Sequence, residues 1–448
     1  MTQEESKIDR LIAERYGKIA GRLMEAAKKG HLCVREEEEI EGCIVLNGTE
    51  ARFEGAIGRW EDLYYFQKNW VLEGEVVRHF LELMGKVSFT PIKEKGKLNP
   101  KQLEAVIIGL SQKVVCLTGG PGTGKSFVIH EIVQRFSGRV CVCAPTGKAV
   151  SLLREKLPCD VGTLHHVLGI KSGKDLIFLQ KKLPYDMVIV DECSMIDVAL
   201  WAALLRNLRK EARLILVGDP HQLPPVEAGP IFGELCRFMK KKKQGFVELT
   251  TCMRSDRADI FEMSVAAKEG GCIPYKPLEK KREEWKAAFK KGGFRLLSCL
   301  RKGLFGVDAI NALMSGEEEM PILITRTDKR LGLNNGDMGV LIKRGLGPQL
   351  GKNDVAIFGE REFPALLLPP FELAYCLSVH KSQGSEFDRV TLLVPKGSEV
   401  FGREVLYTAI TRARKEMEVL ADSEAIAGCL QNSEKKRSGI EKKLALFA

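Results

Sequence analysis

The stretch KVVCLTGGPGTGKS, residues 113–126, constrains this chain more than any other. Lys113 to Thr118 is apolar and β-branched and reads as a short buried strand that runs into glycines. Gly119, Gly124, Lys125 and Ser126 then fill the fixed positions of a phosphate-binding loop, with Gly120, Pro121, Gly122 and Thr123 between them. Small residues let successive backbone N–H groups converge on phosphate oxygens. The spacing puts Lys125 at the β- and γ-phosphates and the Ser126 hydroxyl on Mg²⁺, at the positive end of an amphipathic helix expected over Phe127–Phe136. The implied ligand is a nucleoside triphosphate.

The 448 residues suffice for two or three domains, each with its own core. No apolar run approaches a membrane span, and the polar, acidic start MTQEESKIDR does not read as a secretory signal. Thirteen cysteines are scattered, several inside apolar strands (Cys116, Cys141, Cys143), and none forms a C-x-x-C pair. They read as reduced core residues of a cytoplasmic protein rather than as metal or cluster ligands. The net charge of +10 is unevenly placed: residues 1–100 carry −2, which leaves +12 for the remainder. Basic clusters at Lys240–Lys243 and Lys280–Arg282 suit a polyanion.

Residues 1–97 read as a separate α-rich unit, with a helix from Ile8 to Lys29 and a second over Trp70–Met84. The aromatic cluster Trp60, Tyr64, Tyr65, Phe66 and Trp70 has two readings: anchors for a partner protein, or the unit's own core. A linker, PIKEKGKLNP, follows. Gln102 stands where a carboxamide could read an adenine edge. Further strands are expected at Arg139–Cys143, Asp186–Asp191, Leu214–Val217 and Phe246–Thr250. The third of this domain's strands delivers Asp191 and Glu192 at its carboxyl end, one acid to hold the Mg²⁺ shell and its neighbour to orient and deprotonate water. Gln222 is placed to contact a γ-phosphate or the attacking water. Ile170–Leu183 reads as a protruding hairpin. In the second half, strands are expected at Ile322–Thr325, Val390–Val394 and Met417–Leu420, a small β-barrel-like insertion at 336–370, and a mobile tail from Asn432.

The order of GGPGTGKS, APTGKA, TLHHVLG, VIVDECSMID, GDPHQLPPV, NNGDMGV, SVHKSQGSEF and YTAITRARK resembles superfamily-one helicases. GHLCV, DLYYFQKNWVLEGEVV and FRLLSCLRKGLFGVDAIN make the likeness closest to the RecD family, subunits of exodeoxyribonuclease V. The resemblance implies an α/β fold with two RecA-like domains on parallel sheets, at 98–253 and 254–448, behind the N-terminal unit. It implies ATP and Mg²⁺ as cofactors, with Gln102 on adenine, Lys125 and Ser126 on phosphate and metal, and Asp191 and Glu192 on metal and water. Gln222 resembles the γ-phosphate sensor, and Arg254 and Arg412 the arginines that stabilise the transferring phosphoryl group. Thr146, Thr163, His165, Ser378 and His380 resemble residues on the DNA backbone. The 170–183 segment resembles a strand-splitting pin, and 336–370 an SH3-like insertion. The chain is shorter than typical members between Gly270 and Phe294 and at the N-terminus. Implied partners are single-stranded DNA, duplex ends and RecB-like and RecC-like subunits in a heterotrimer. The resemblance implies an ATP-driven 5′→3′ DNA helicase; no nuclease constellation is visible, so any DNA degradation is expected of a partner subunit. The alternatives are a free-standing helicase of the same superfamily and a structural subunit with a weak motor.

Overall fold

The computed structural model describes residues 17–37, 39–40, 43–85, 87, 98–171, 176, 180–251, 258–344, 349–433 and 436–448. Half of the 170–183 hairpin expectation, and Arg254, lie outside these residues. Of the part of that segment that is described, Leu176 is helical and no residue is in a strand.

The N-terminal unit is not α-rich alone. Between a helix at 17–28 and the helix Gln67–Leu83 it carries β1 (Cys33–Arg35), β2 (Ile44–Val45), β3 (Ile57–Trp60) and β4 (Leu63–Phe66), in the order β1-β4-β3-β2. Ile57 and Trp60 in IGRW and the aromatic run of LYYF suit strands, since β-branched and aromatic residues pack well on a pleated surface. Trp60, Tyr64, Tyr65 and Trp70 are all buried, so four of the five supposed anchors are core, with Trp70 edge-on to both Trp60 and Tyr65. The helix Gln67–Leu83 turns Val76, Val77 and Phe80 into the same apolar cluster as the next sheet's strands and the helix Val198–Asn207.

That next sheet is entirely parallel: β5 (Val114–Gly119), β6 (Val140–Ala144), β7 (Asp160–Thr163), β8 (Met187–Val190), β9 (Arg213–Gly218) and β10 (Phe246–Leu249), ordered β10-β5-β9-β8-β6-β7. Continuous apolar runs such as VVCL, VCVC and MVIV suit strands covered on both faces. A second all-parallel sheet contains β11 (Lys276–Pro277) and β12 (Phe294–Ser298) together with three later strands. In the chain, between β12 and those later strands, comes an antiparallel sheet of β13 (Glu319–Ile324), β14 (Met338–Ile342), β15 (Val355–Phe358), β16 (Arg361–Pro364) and β17 (Phe371–Leu373), in the linear order β16-β15-β14-β13-β17. The strand expected at Ile322–Thr325 therefore belongs to this sheet and not to the parallel one. The chain then returns as β18 (Cys376–Ser378), β19 (Phe387–Val394) and β20 (Ala413–Ala421), completing the order β11-β20-β19-β12-β18.

The tail does not hang free. Residues 436–448 cross back onto the first half, and the helix Ile440–Phe447 buries Ile440 and Leu444 in the cluster shared by the helices Gln67–Leu83 and Ile231–Lys242. Lys443, fully buried, pairs with buried Glu73 at 3.1 Å, and its ammonium stands 3.6 Å from the centre of the Trp70 ring. Gly439 donates its N–H to Glu73 Oε1 at 2.9 Å, and a Cβ there would lie 1.9 Å from the Tyr65 hydroxyl, so only glycine fits. The charged residues that suggested mobility are the ones that tie the segment down.

Candidate active site

The phosphate loop follows β5 directly and opens the helix Lys125–Arg135. Gly122 and Gly124 take positive φ angles of 74° and 89°, which is why this turn needs glycine. A Cβ on Gly124 would also sit 2.4 Å from Gln102 Nε2. Thr123 Oγ1 donates to the Gly120 carbonyl at 2.8 Å, and Lys125 Nζ bonds the carbonyls of Gly119 and Gly120 at 2.7 and 2.9 Å. The lysine thus folds back over its own loop, while Ser126 is exposed at the start of the helix.

Gln102 is buried behind this loop. Its Oε1 accepts from Asn99 N at 3.1 Å in a capping box that starts the helix Pro100–Ser111, and its Nε2 faces the Thr123 carbonyl at 3.4 Å. One carboxamide therefore braces the loop from behind, an arrangement the sequence did not suggest.

Asp191 and Glu192 follow β8 at its carboxyl end, where parallel sheets place ligands. Glu192 has φ 53°, uncommon for a residue with a side chain, and its N–H donates to Asp191 Oδ1 at 2.8 Å. Burial and then the charge of Glu192 push the Asp191 carboxyl well above the usual carboxylate range, with Lys125 pulling the other way. A divalent cation shared by Asp191 and Ser126 would relieve that crowding of negative charge, so the residues fit Mg²⁺.

Gln222 follows β9 and is also buried. Its Oε1 has no partner among the described residues, which suits an amide kept for something not of the protein. Its neighbour Asp219 accepts from His221 N at 3.0 Å and, across the cleft, from the Tyr407 hydroxyl at 2.7 Å. A cavity of about 290 Å³ lies here, with Gly119–Pro121, Asp219–His221 and Glu248–Thr250 on one wall. Phe261, Lys268, Tyr407, Thr411 and Arg414 form the other.

Arg412 does not line that cavity. It is buried with Nε on the Thr408 carbonyl at 3.0 Å, Nη1 on the Ser385 carbonyl at 3.3 Å and Nη2 on Thr411 Oγ1 at 3.1 Å. Among the described residues, Arg414 is the arginine that lines the cavity, tethered to Asp388 at 3.2 Å.

The residues matched to DNA contacts sit at or just beyond the carboxyl ends of β6 and β7 in the first parallel sheet and of β18 in the second. Thr146 caps the helix Gly147–Arg154 after β6, and Thr163 caps Leu164–Leu168 after β7, each through its own hydroxyl. His165 is exposed. Ser378 ends β18 and accepts from Lys381 N at 3.3 Å, while His380 lies edge-on to Phe401 at 5.5 Å. Gly147 lies against Asn334, so NNGDMGV reaches the same region from the antiparallel sheet. Lys148 joins the halves by donating to Ser385 Oγ at 2.7 Å.

Sequence reasoning missed Asp219, Gln383, Tyr407 and Thr408. All four lie inside the motifs quoted above, yet the signal for their role is a partner about 160 to 190 residues away, which no spacing encodes.

Two parallel sheets that meet across a phosphate loop place this chain among the two-lobed P-loop proteins. Residues 97–281 match the AAA domain family, and 373–419 the UvrD-like helicase C-terminal domain. The chain is 29% identical to the RecBCD enzyme subunit RecD of Mycolicibacterium smegmatis, over 86% of this chain and 82% of that one. It is 26% identical to the Haemophilus influenzae subunit of the same name, over 85% and 80%. With the ATP-dependent RecD2 DNA helicase of Deinococcus radiodurans it shares 30% identity over 72% of this chain and 49% of that one. Among solved structures, a Pif1 helicase at forked DNA aligns with TM-score 0.49 and 18% identity over 73% and 92%, too slight a likeness to carry an argument. Over most of its length the chain is thus similar to RecD subunits of RecBCD enzymes, and it carries an AAA domain followed by a UvrD-like helicase C-terminal domain.

Proposed function

We propose that this protein is an ATP-dependent DNA helicase, moving 5′→3′ on single strands as the RecD-like subunit of a RecBCD-type complex in double-strand break repair. One observation carries the reading: the phosphate loop, the acid pair and Gln222 leave β5, β8 and β9 at the carboxyl end of one sheet, where the loop and Asp219–His221 face elements of the second half across a cleft. Binding energy from a nucleotide held there would be felt by both halves at once. The bound Mg²⁺ would neutralise phosphate charge, Asp191 and Ser126 being its protein ligands. Lys125 leaves its loop carbonyls for the β- and γ-phosphates, and Glu192 orients and deprotonates water. Gln222 offers its open carbonyl to the water or a donor, and arginines of the second half, among Arg254, Arg412 and Arg414, screen the developing charge.

Thr146, Thr163, His165, Ser378 and His380 border the strand path on both halves, so cleft closure shifts one set against the other. The partners are single-stranded and duplex-end DNA and RecB-like and RecC-like subunits, in the cytoplasm. Among the described residues no helix is long and apolar enough to cross a membrane. With Trp60, Tyr64, Tyr65 and Trp70 buried, docking of residues 1–97 to a larger subunit rests on their −2 charge against +12 elsewhere.

The test is ATP hydrolysis with and without single-stranded DNA, by wild type and Lys125→Gln. We expect DNA-stimulated turnover that falls about 10³-fold in the variant, with the fold intact by circular dichroism. Near wild-type turnover by a folded Lys125→Gln protein would overturn the assignment. A second reading is a free-standing helicase, in line with the Deinococcus relative, whose name gives a DNA helicase and no complex. Co-purification from cells separates the two, because the first requires large subunits to travel with this chain.

A further inference from the structure

Gln222 works as a sensor only if its carboxamide is held one way round. The amide can flip, presenting a donor where an acceptor is needed, unless a neighbour distinguishes its two ends. Asp219 is that neighbour. Its carboxylate is almost wholly buried, accepts only, and lies 3.5 Å from Gln222 Nε2, leaving Oε1 turned away and unpartnered among the described residues. What holds Asp219 in turn belongs to the other half of the chain. Tyr407, on the helix Gly402–Ile410, donates its hydroxyl to Asp219 Oδ2 at 2.7 Å, to the same oxygen that faces Gln222.

Tyr407 is itself confined. It is buried, its ring lies edge-on to His221 with 6.2 Å between centroids, and its hydroxyl sits so close to the phosphate loop that a Cβ on Gly120 would meet it at 3.2 Å. The next residue repeats the tie: Thr408 Oγ1 accepts from Leu223 N at 2.8 Å, and Gln383 Nε2 donates to the Leu223 carbonyl at 3.0 Å. The same turn carries the carbonyl that anchors Arg412. A single helical turn of the second half thus grips both sides of Gln222 and the buried arginine at once.

We infer that Tyr407 is a positioning residue for ATP hydrolysis: through Asp219 it sets the orientation of Gln222, so that the sensor is correctly presented only while the two halves are docked. This rests on the ATPase reading above. It adds to that reading a physical link by which strand binding on the second half would reach the sensor on the first. Tyr407 touches no reacting atom; removing its hydroxyl should slow turnover without loosening nucleotide.

The experiment is a double-mutant cycle on the full chain, with Tyr407→Phe, Gln222→Ala and the pair, reading DNA-stimulated kcat, KM for ATP and affinity for a fluorescent ATP analogue. Tyr407→Phe should lower kcat about tenfold with KM and analogue affinity within about twofold, and should have no further effect in the Gln222→Ala background. A merely structural hydroxyl would lower kcat by the same factor in both backgrounds, and that additivity overturns the inference, as does an unchanged kcat. Should Tyr407→Phe fail to fold, Asp219→Asn replaces it in the cycle. The same non-additivity with Gln222→Ala is expected, and additive losses again overturn the inference. A wild-type protein with no ATP turnover would sink the ATPase reading instead, which is a separate outcome from an active wild type whose Tyr407→Phe variant is equally active.

Discussion

The two halves of this chain meet at two seams, and the seams are built from different materials. Beside the cavity the contact is mainly polar: Tyr407 on Asp219, Thr408 and Gln383 on the backbone of Leu223, Lys148 on Ser385, with the Leu223 side chain buried in the second half's apolar cluster. Each such bond contributes about 0.5–1.5 kcal/mol net, since water can replace it when the seam opens. At the other seam, residues 436–447 bury Ile440 and Leu444 and seal an ion pair beneath an aromatic ring. Water cannot replace those contacts cheaply. The first seam suits repeated opening around a nucleotide, and the second suits holding the chain together while that happens.

The sharpest way to break this contrast is at Lys443. Lys443→Ala leaves Glu73 charged and buried, at a cost of about 3–5 kcal/mol in urea unfolding, while the double change Lys443→Met with Glu73→Leu should recover most of it. A loss no larger than 1 kcal/mol would place both seams in one class.

Acid and base should then separate them. At the closed seam, burial raises the Glu234 carboxyl from an ordinary 4.5 to about 7, against the hydrogen bond from Ser438 and with the charge of Glu73 adding to it. A raised carboxyl contributes stability that is full below its unfolded value and is lost as pH rises through the folded one. The unfolding free energy should therefore fall between about pH 4.5 and pH 7 by on the order of 2 kcal/mol, and Glu234→Gln should flatten that fall.

At the polar seam the sign reverses. Burial, then Arg295 and Arg412, lower Lys148 from 10.5 to about 8, opposed by Asp337 and Glu386. The unfolded chain binds the extra proton between those values, so stability rises from about pH 8 to pH 10.5, by about 1 kcal/mol once solvent screening of a partly exposed chain is allowed for. Lys148→Met should abolish that rise, and a rise that persists in the variant would remove Lys148 from the account.

The two seams also differ in how far the sequence announces them. The motifs at the cavity are legible because phosphate chemistry dictates residue type and spacing together: Gly119 to Ser126 allow few alternatives, and Asp191, Glu192 and Gln222 each follow an apolar strand. The parallel strands were legible for the same reason, as apolar runs of strand length. The closed seam was not. LALF amid EKK reads as a solvated tail, because the partners that neutralise and cover it, Glu73 and Trp70, lie far away in the chain. The N-terminal strands were hidden likewise, since LYYF flanked by charge satisfies an interface and a core equally well until its neighbours are known. Arg412 shows the limit at the site itself. Its motif identifies the residue type, but its placement depends on the Thr408 and Ser385 carbonyls.

The wrap of residues 436–448 has a consequence for how this protein is made. The bond between Gly439 and Glu73 closes a loop of 366 residues, so Glu73 leaves the ribosome long before its partner. At roughly 5–20 residues per second, the interval is about 20–70 s. Throughout it, the first parallel sheet and the N-terminal strands lack the helix that covers them, with an acid and an apolar groove open to solvent. Completion of the first half thus waits for synthesis of the second, and the two halves cannot mature as independent units.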